Sequence, residues 1–152
     1  MKYKIPLMQN AFFDEIETKK KLSKFISTSK KLSMGKYCKN FEIKFAKLHK
    51  SKYAVFFNSG SSSNLAILQT LFNLKKIKKG DTIAFSSLTW ATNVMPIIQL
   101  GFKPLPLDIN IKNLNIESKD VEKLKNCKVL FITNALGFCG DLEKIKKICN
   151  KK

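Results

Sequence analysis

The segment Asn58-Ser59-Gly60-Ser61-Ser62-Ser63-Asn64 gathers a glycine and a run of hydroxyls. It lies between a β-like run, Tyr53–Phe57, and a helical run from Leu65 to Leu74. At a strand-to-helix junction, such residues predict an anion cradle. Gly60 permits a tight backbone turn, the first free N–H groups of the helix face outward at the positive end of its dipole, and serine hydroxyls add neutral donors. A phosphate monoester suits that chemistry. The same residues also suit a plain helix N-cap, for which serine is a preferred residue. A second junction, Ser87-Leu88-Thr89-Trp90-Ala91-Thr92-Asn93, carries the only tryptophan of the chain next to Thr89 as a candidate N-cap. An indole there can stack on a flat heteroaromatic ring whose phosphate is held by the serines, or it can pack beneath a helix.

The elements that position these junctions alternate. Asn40 is placed to cap a helix with Phe41, Phe45 and Leu48 on one face. Tyr53–Phe57 reads as a first buried strand, Thr82–Ser86 as a second, Lys103–Leu107 as a third and Lys128–Thr133 as a fourth. Pro104 and Pro106 restrict the third to an edge. Helices are expected over Leu65–Leu74, Ala91–Leu100 with Gly101 as its C′ stop, Ser118–Asn126 and Asp141–Asn150. Strands separated by helices imply an α/β fold with a mostly parallel sheet and flanking helices. Ligands bind such sheets beyond the carboxyl ends of the strands, where the segments Asn58–Ser63, Ser87–Trp90 and Asn134–Gly140 are expected to converge. Residues 1–39 form a lysine- and serine-rich leader with apolar Phe12, Phe13, Ile16, Leu22, Phe25 and Ile26; residues 40–152 carry the alternating pattern. The last residues fall where a further strand is expected.

The chain has 152 residues, enough for a core, and no apolar run near the roughly 20 residues that span a bilayer. Met1–Pro6 is basic but is not followed by an apolar signal core, so a cytoplasmic, soluble protein is expected, with no membrane partner. The formal net charge of +18 raises the question of nucleic acid. All 29 basic residues are lysine, however, and they are spread along the chain. Base readers favour the bidentate arginine fork, so no specific nucleic-acid partner is expected. Cys38, Cys127, Cys139 and Cys149 form no C-x-x-C pair, and His49 is distant from them in sequence. Free thiols and no metal site follow.

Taken together, the segments resemble the DegT/StrS family of sugar aminotransferases, which depend on pyridoxal 5′-phosphate (PLP) and have the type I aminotransferase fold. The resemblance is carried by Ile5-Pro6-Leu7, Ser33-Met34-Gly35, Phe41-Glu42 with Phe45-Ala46, and Tyr53-Ala54-Val55 leading into Ser59–Leu65. It continues through Gly80-Asp81-Thr82-Ile83, Thr89-Trp90, Gly101-Phe102-Lys103-Pro104, Asp108-Ile109, Leu136-Gly137 and Gly140-Asp141-Leu142.

The resemblance implies a PLP transferase large domain, of which residues 40–152 are the first part and residues 1–39 a dimer-contact leader. It implies PLP as cofactor, with Gly60, Ser61 and Ser62 on its phosphate and Trp90 on its ring. Family proteins are usually more than twice this length, so the chain corresponds to an N-terminal portion. The Schiff-base lysine and the aspartate that pairs with the pyridinium nitrogen are expected beyond residue 152, and no catalytic residue is assigned. The implied reaction is transamination of a nucleotide-linked keto sugar by an amino donor, in a homodimer, for surface polysaccharide synthesis. Ser61–Leu65 and Thr92–Gln99 resemble members acting on nucleotide-linked 4-keto-6-deoxy sugars, some of which are 3-dehydratases. A non-catalytic binding module or decayed gene product is the alternative of another class.

Overall fold

The computed structural model describes residues 12–151, which fall into two compact units, one ending at Phe56 and one beginning at Phe57. The Ile5-Pro6-Leu7 segment of the resemblance lies outside the described residues. The first unit contains α1, Glu15–Thr28, and α2, Lys36–Leu48. The Asp14 carboxylate caps α1 by accepting the Glu17 N–H at 3.4 Å. Helix α2 begins a turn earlier than the expected cap at Asn40, which lies inside it. Met34 adopts φ 51° and Gly35 is extended at the N-cap, so the turn before the helix is already complete at residue 35. On α2, Phe41 meets Phe45 and, edge-on, Phe56; Phe45 lies 4.3 Å from the His49 ring at the helix end. Ala46 is buried, whereas Phe13, Ile16, Leu22 and Ile26 around α1 are exposed.

The expected first strand, Tyr53–Phe57, is not a strand. Tyr53 and Val55 are exposed, and the Phe56 N–H donates to the Glu42 carboxylate at 2.9 Å instead of to a ladder. β-propensity reflects fit to a pleated, paired surface. Among the described residues, no neighbouring strand supplies one.

The second unit runs α3 (Gly60–Asn73), β1 (Thr82–Ser86), α4 (Ala91–Gln99), β2 (Lys103–Leu107), α5 (Ser118–Glu122), β3 (Cys127–Phe131), a 3-10 turn (Ala135–Gly137) and α6 (Leu142–Lys151). The three strands form a parallel sheet in the order β2-β1-β3. Ile83 lies beside Pro104 on one flank and Val129 on the other; Phe85 lies beside Pro106 and Phe131. Side chains alternate across the sheet. Ile83 and Phe85 join Leu68 of α3, Ile97 of α4, Ile77 and Phe102 in one core cluster. Ala84 and Leu107 join Val121 of α5, Ile116 and Ile145 of α6 in the other. The sheet is therefore covered on both faces, as a parallel sheet requires.

Several boundaries differ from expectation. β3 starts and ends early, with an irregularity in its register opposite Thr82 and Ile83. The helix at Ser118 has Glu117 as its N-cap and stops at Glu122; Asn126, expected inside it, takes φ 56° and turns the chain into β3. At the end of α4, Gly101 adopts φ 81°, which permits the Gly101 and Phe102 N–H groups to bond the Ile98 and Ile97 carbonyls. Among the described residues no helix is long and apolar enough to cross a membrane.

One close approach fixes the segment after β3. The buried Asn115 amide donates to the Phe138 carbonyl at 2.6 Å. A Cβ at Gly140 would lie 2.9 Å from Asn115 Cβ and 3.3 Å from the Ile116 carbonyl oxygen. Neither neighbour is a flexible side-chain tip. Gly140→Ala is expected to destabilise the second unit by about 1–3 kcal/mol through overpacking, read as a lowered urea midpoint with unchanged slope.

Candidate functional site

Helix α3 begins inside the serine segment. Ser59 is the N-cap, and its hydroxyl accepts the Ser62 N–H at 3.1 Å. The same hydroxyl lies 3.1 Å from Ser62 Oγ, and the Ser63 hydroxyl donates to the Gly60 carbonyl at 2.8 Å. Gly60, Ser61 and Ser62 are thus the first turn of the helix and not a loop before it. The tight turn expected at Gly60 is absent: its φ is not left-handed, and a Cβ there would meet nothing within 4 Å. Neither backbone geometry nor packing requires glycine at this position. The Gly60 and Ser61 N–H groups begin the helix without intrahelical acceptors. With the exposed Ser61 hydroxyl, they form an open set of neutral donors at the positive end of the helix.

Helix α4 begins one residue later than the expected Thr89 cap. Trp90 is its N-cap and makes no side-chain capping bond; its side chain is 73% exposed, so it does not pack beneath the helix. Thr89 is occupied differently. Its hydroxyl lies 2.6 Å from the Thr133 hydroxyl and accepts from the Asn93 amide at 2.8 Å. Asn93 Nδ2 also donates to Thr133 Oγ1 at 3.2 Å, and Asn93 Oδ1 accepts from the Asn64 amide. The Thr133 N–H donates to Ser86 Oγ at 3.1 Å, with Ser86 fully buried at the end of β1.

This chain of bonds joins α3, the turn after β1 and the residues after β3. Of the three strand-end segments expected to converge, only Ser87–Trp90 contributes to this network, through Thr89; Asn64 and Thr133 lie one residue outside Asn58–Ser63 and Asn134–Gly140. The network lies between the carboxyl ends of β1 and β3, where the strand order reverses and open α/β sheets place their ligands. The structure thus brings the α3 turn carrying Gly60, Ser61 and Ser62 and the α4 turn carrying Trp90 to one end of the sheet. Asn64, Thr89, Asn93 and Thr133, which connect them, were not singled out as site residues. The available signal was the spacing of Thr89 and Asn93, one helical turn apart at a strand-to-helix junction.

A depression of about 520 Å³ lies elsewhere, along the outer side of β2, lined by residues that include Leu107, Asp108, Asn110, Glu117 and Lys119. Hydrogen bonds from Lys119 and then Asn110 hold the Glu117 carboxyl below its usual range. None of the sequence-predicted site residues lies there. Among the described residues no cluster of His, Cys, Asp and Glu is arranged to hold a metal ion.

The second unit is an α/β unit with a three-strand parallel sheet flanked by helices, with an open helix N-terminus and an exposed indole near its switch point. Residues 14–152 match the DegT/DnrJ/EryC1/StrS aminotransferase family, and the chain belongs to that family. It is 37% identical over 148 residues to a GDP-4-keto-6-deoxy-D-mannose 3-dehydratase of Escherichia coli O55:H7, covering 93% of this chain and 37% of that protein. It is 26% identical over 121 residues to the GDP-perosamine synthase of Vibrio cholerae, covering 78% of this chain and 32% of the relative. In structure it is similar to the Escherichia coli 3-dehydratase with bound hydrated PLP, with TM-score 0.84 and 34% identity, covering 97% of this chain and 38% of that one. The chain spans less than two fifths of the length of these relatives.

The capping bond at Ser59 distinguishes it from Ser61, whose hydroxyl is exposed. Ser59→Ala is expected to destabilise α3 by about 0.5–2 kcal/mol. Gly60→Ala, entering open space, is expected to leave stability unchanged or raise it by up to about 1 kcal/mol. Paired urea titrations followed by circular dichroism check both.

Proposed function

We propose that this chain supplies the phosphate-gripping and ring-facing part of a PLP-dependent enzyme acting on a nucleotide-linked 4-keto-6-deoxy sugar, and that the whole protein removes the 3-hydroxyl of that sugar. The observation that carries the cofactor reading is the open first turn of α3, tied through Asn64 and Asn93 to the turn that bears the exposed Trp90. The donor chemistry fits the group. A phosphate dianion takes backbone N–H and hydroxyl donors without needing a buried counter-charge. The glycine that nothing in the fold requires leaves room for close approach. Gly60, Ser61 and Ser62 would hold the phosphate, and Trp90 would cover a face of the ring. Bound there, the cofactor supplies an electron sink that none of these side chains possesses.

The dehydratase reading is favoured over transamination by the 37% identity to a GDP-4-keto-6-deoxy-D-mannose 3-dehydratase, against 26% to the perosamine synthase. Transamination of the same class of sugar is the second reading, supported by the family to which the chain belongs. A homodimer is part of the proposal. Phe13, Ile16 and Ile26 lie exposed on or beside α1, and burying each such side chain is worth roughly 1.5–3 kcal/mol.

The cofactor reading is tested with pyridoxamine 5′-phosphate, whose amine cannot condense with the 29 lysines as an aldehyde does. Saturable quenching of the single tryptophan is expected. Ser61→Ala should weaken it by about 0.5–1.5 kcal/mol, and Gly60→Val should weaken it more by obstructing the backbone. Equal affinity in wild type and Gly60→Val would exclude this turn as the phosphate site. A protein of the relatives' full length, given the nucleotide-linked 4-keto-6-deoxy sugar, is expected to yield a product that has lost the 3-hydroxyl. A product that gains an amine instead assigns it to transamination. Sedimentation of that protein over a concentration series is expected to give a dimer, and a strictly monomeric active species overturns the proposed assembly.

A further inference from the structure

We infer that Asn93 is the positioning residue of this site: its carboxamide sets the spacing between the α3 turn at Gly60–Ser62 and the indole of Trp90. The inference rests on the cofactor reading above for its ligand, and on a separate set of bonds for its geometry. Both amide hydrogens of Asn93 are committed, to Thr89 Oγ1 at 2.8 Å and Thr133 Oγ1 at 3.2 Å. Its Oδ1 accepts from Asn64, which lies one helical turn after Ser61. Its backbone N–H donates to the Trp90 carbonyl at 2.9 Å. One residue therefore touches the helix bearing the phosphate donors, the residue bearing the ring face, and the end of β3. Thr133 in turn is anchored to the fully buried Ser86 of β1.

Only a carboxamide satisfies this set. Two donors and an acceptor must come from one planar group of this length. An aspartate in its place accepts only, so both threonines would have to turn their hydroxyls toward it and abandon their mutual bond. A leucine preserves the shape and removes all three contacts. The two threonines hold two hydroxyl hydrogens and share one bond.

The two halves of the site keep their local geometry without Asn93. Ser59 caps α3 independently, and Trp90 remains the N-cap residue of α4. What is lost is their relative placement. A ligand touching only the α3 turn should then be indifferent to Asn93, and a ligand spanning both should not.

The experiment compares inorganic phosphate, followed by phosphorus NMR line broadening, with pyridoxamine 5′-phosphate, followed by Trp90 quenching. In Asn93→Leu, phosphate affinity is expected to stay within twofold of wild type, and pyridoxamine 5′-phosphate affinity to fall about tenfold or more. Equal loss for both ligands marks general disruption and overturns the inference, as does unchanged affinity for the larger ligand. If Asn93→Leu fails to fold, Thr133→Val breaks the clamp at its other end, and the same split is required. Absence of saturable quenching in wild type removes the cofactor reading by itself. The emission anisotropy of Trp90 in the ligand-free chain then decides: a fall in Asn93→Leu supports the clamp, and an unchanged value overturns it.

Discussion

The central strand must be buried on both faces, and the rest of the second unit follows from that. Ile83, Ala84 and Ser86 are fully excluded from solvent, and Phe85 nearly so. The side chains of β1 can be satisfied only if α3 and α4 cover one face and α5 and α6 the other. Ser86 is the exception in chemistry. A hydroxyl sealed at the end of a parallel strand must find a partner, because leaving it unpaired costs roughly 1–3 kcal/mol. The Thr133 N–H supplies it, binding the chain that leaves β3 to the end of β1. The polar network at the carboxyl end of the sheet is built outward from that bond.

The net charge and the proposed phosphate site have different physical origins. The net charge of +18 resides on lysines distributed along the sequence, and the ion pairs seen among the described residues are exposed. Such a field draws anions toward the chain over a range of roughly 8–10 Å in physiological salt. The first turn of α3, by contrast, offers only neutral donors and a helix dipole. Encounter with anions is therefore salt-sensitive, whereas the proposed phosphate site at Gly60–Ser62 would depend on backbone direction.

The alternation of strands and helices was legible because each strand of the second unit is short, apolar and followed by a helix with a clear stop. Gly101 marked one such stop, and its positive φ agrees. The failure at Tyr53–Phe57 has a definite cause. Five apolar and aromatic residues specify a willingness to pair, but pairing also needs a neighbour that local sequence does not name. The serine segment was legible as an anion-binding or capping site; Ser59 is the cap, and the Ser61 hydroxyl is exposed. The roles of Asn64, Asn93 and Thr133 were not legible. Their function comes from meeting across 29 and 40 residues of sequence, a juxtaposition that only the strand order creates.

The prolines of β2 give the sheet a direction of growth. Lys103 donates its N–H to Asp81, and Leu107 accepts from Ser87, so the odd positions of β2 face β1. Pro104 and Pro106 therefore occupy the outward positions, where they offer carbonyls but no N–H groups. A strand arriving on that side would find acceptors and no donors, and could complete only half of a ladder. The side of β3 carries no such block. Strand addition is therefore disfavoured on the β2 side of the sheet. A misplaced β-segment from another molecule is turned away at one border without any charge being spent there.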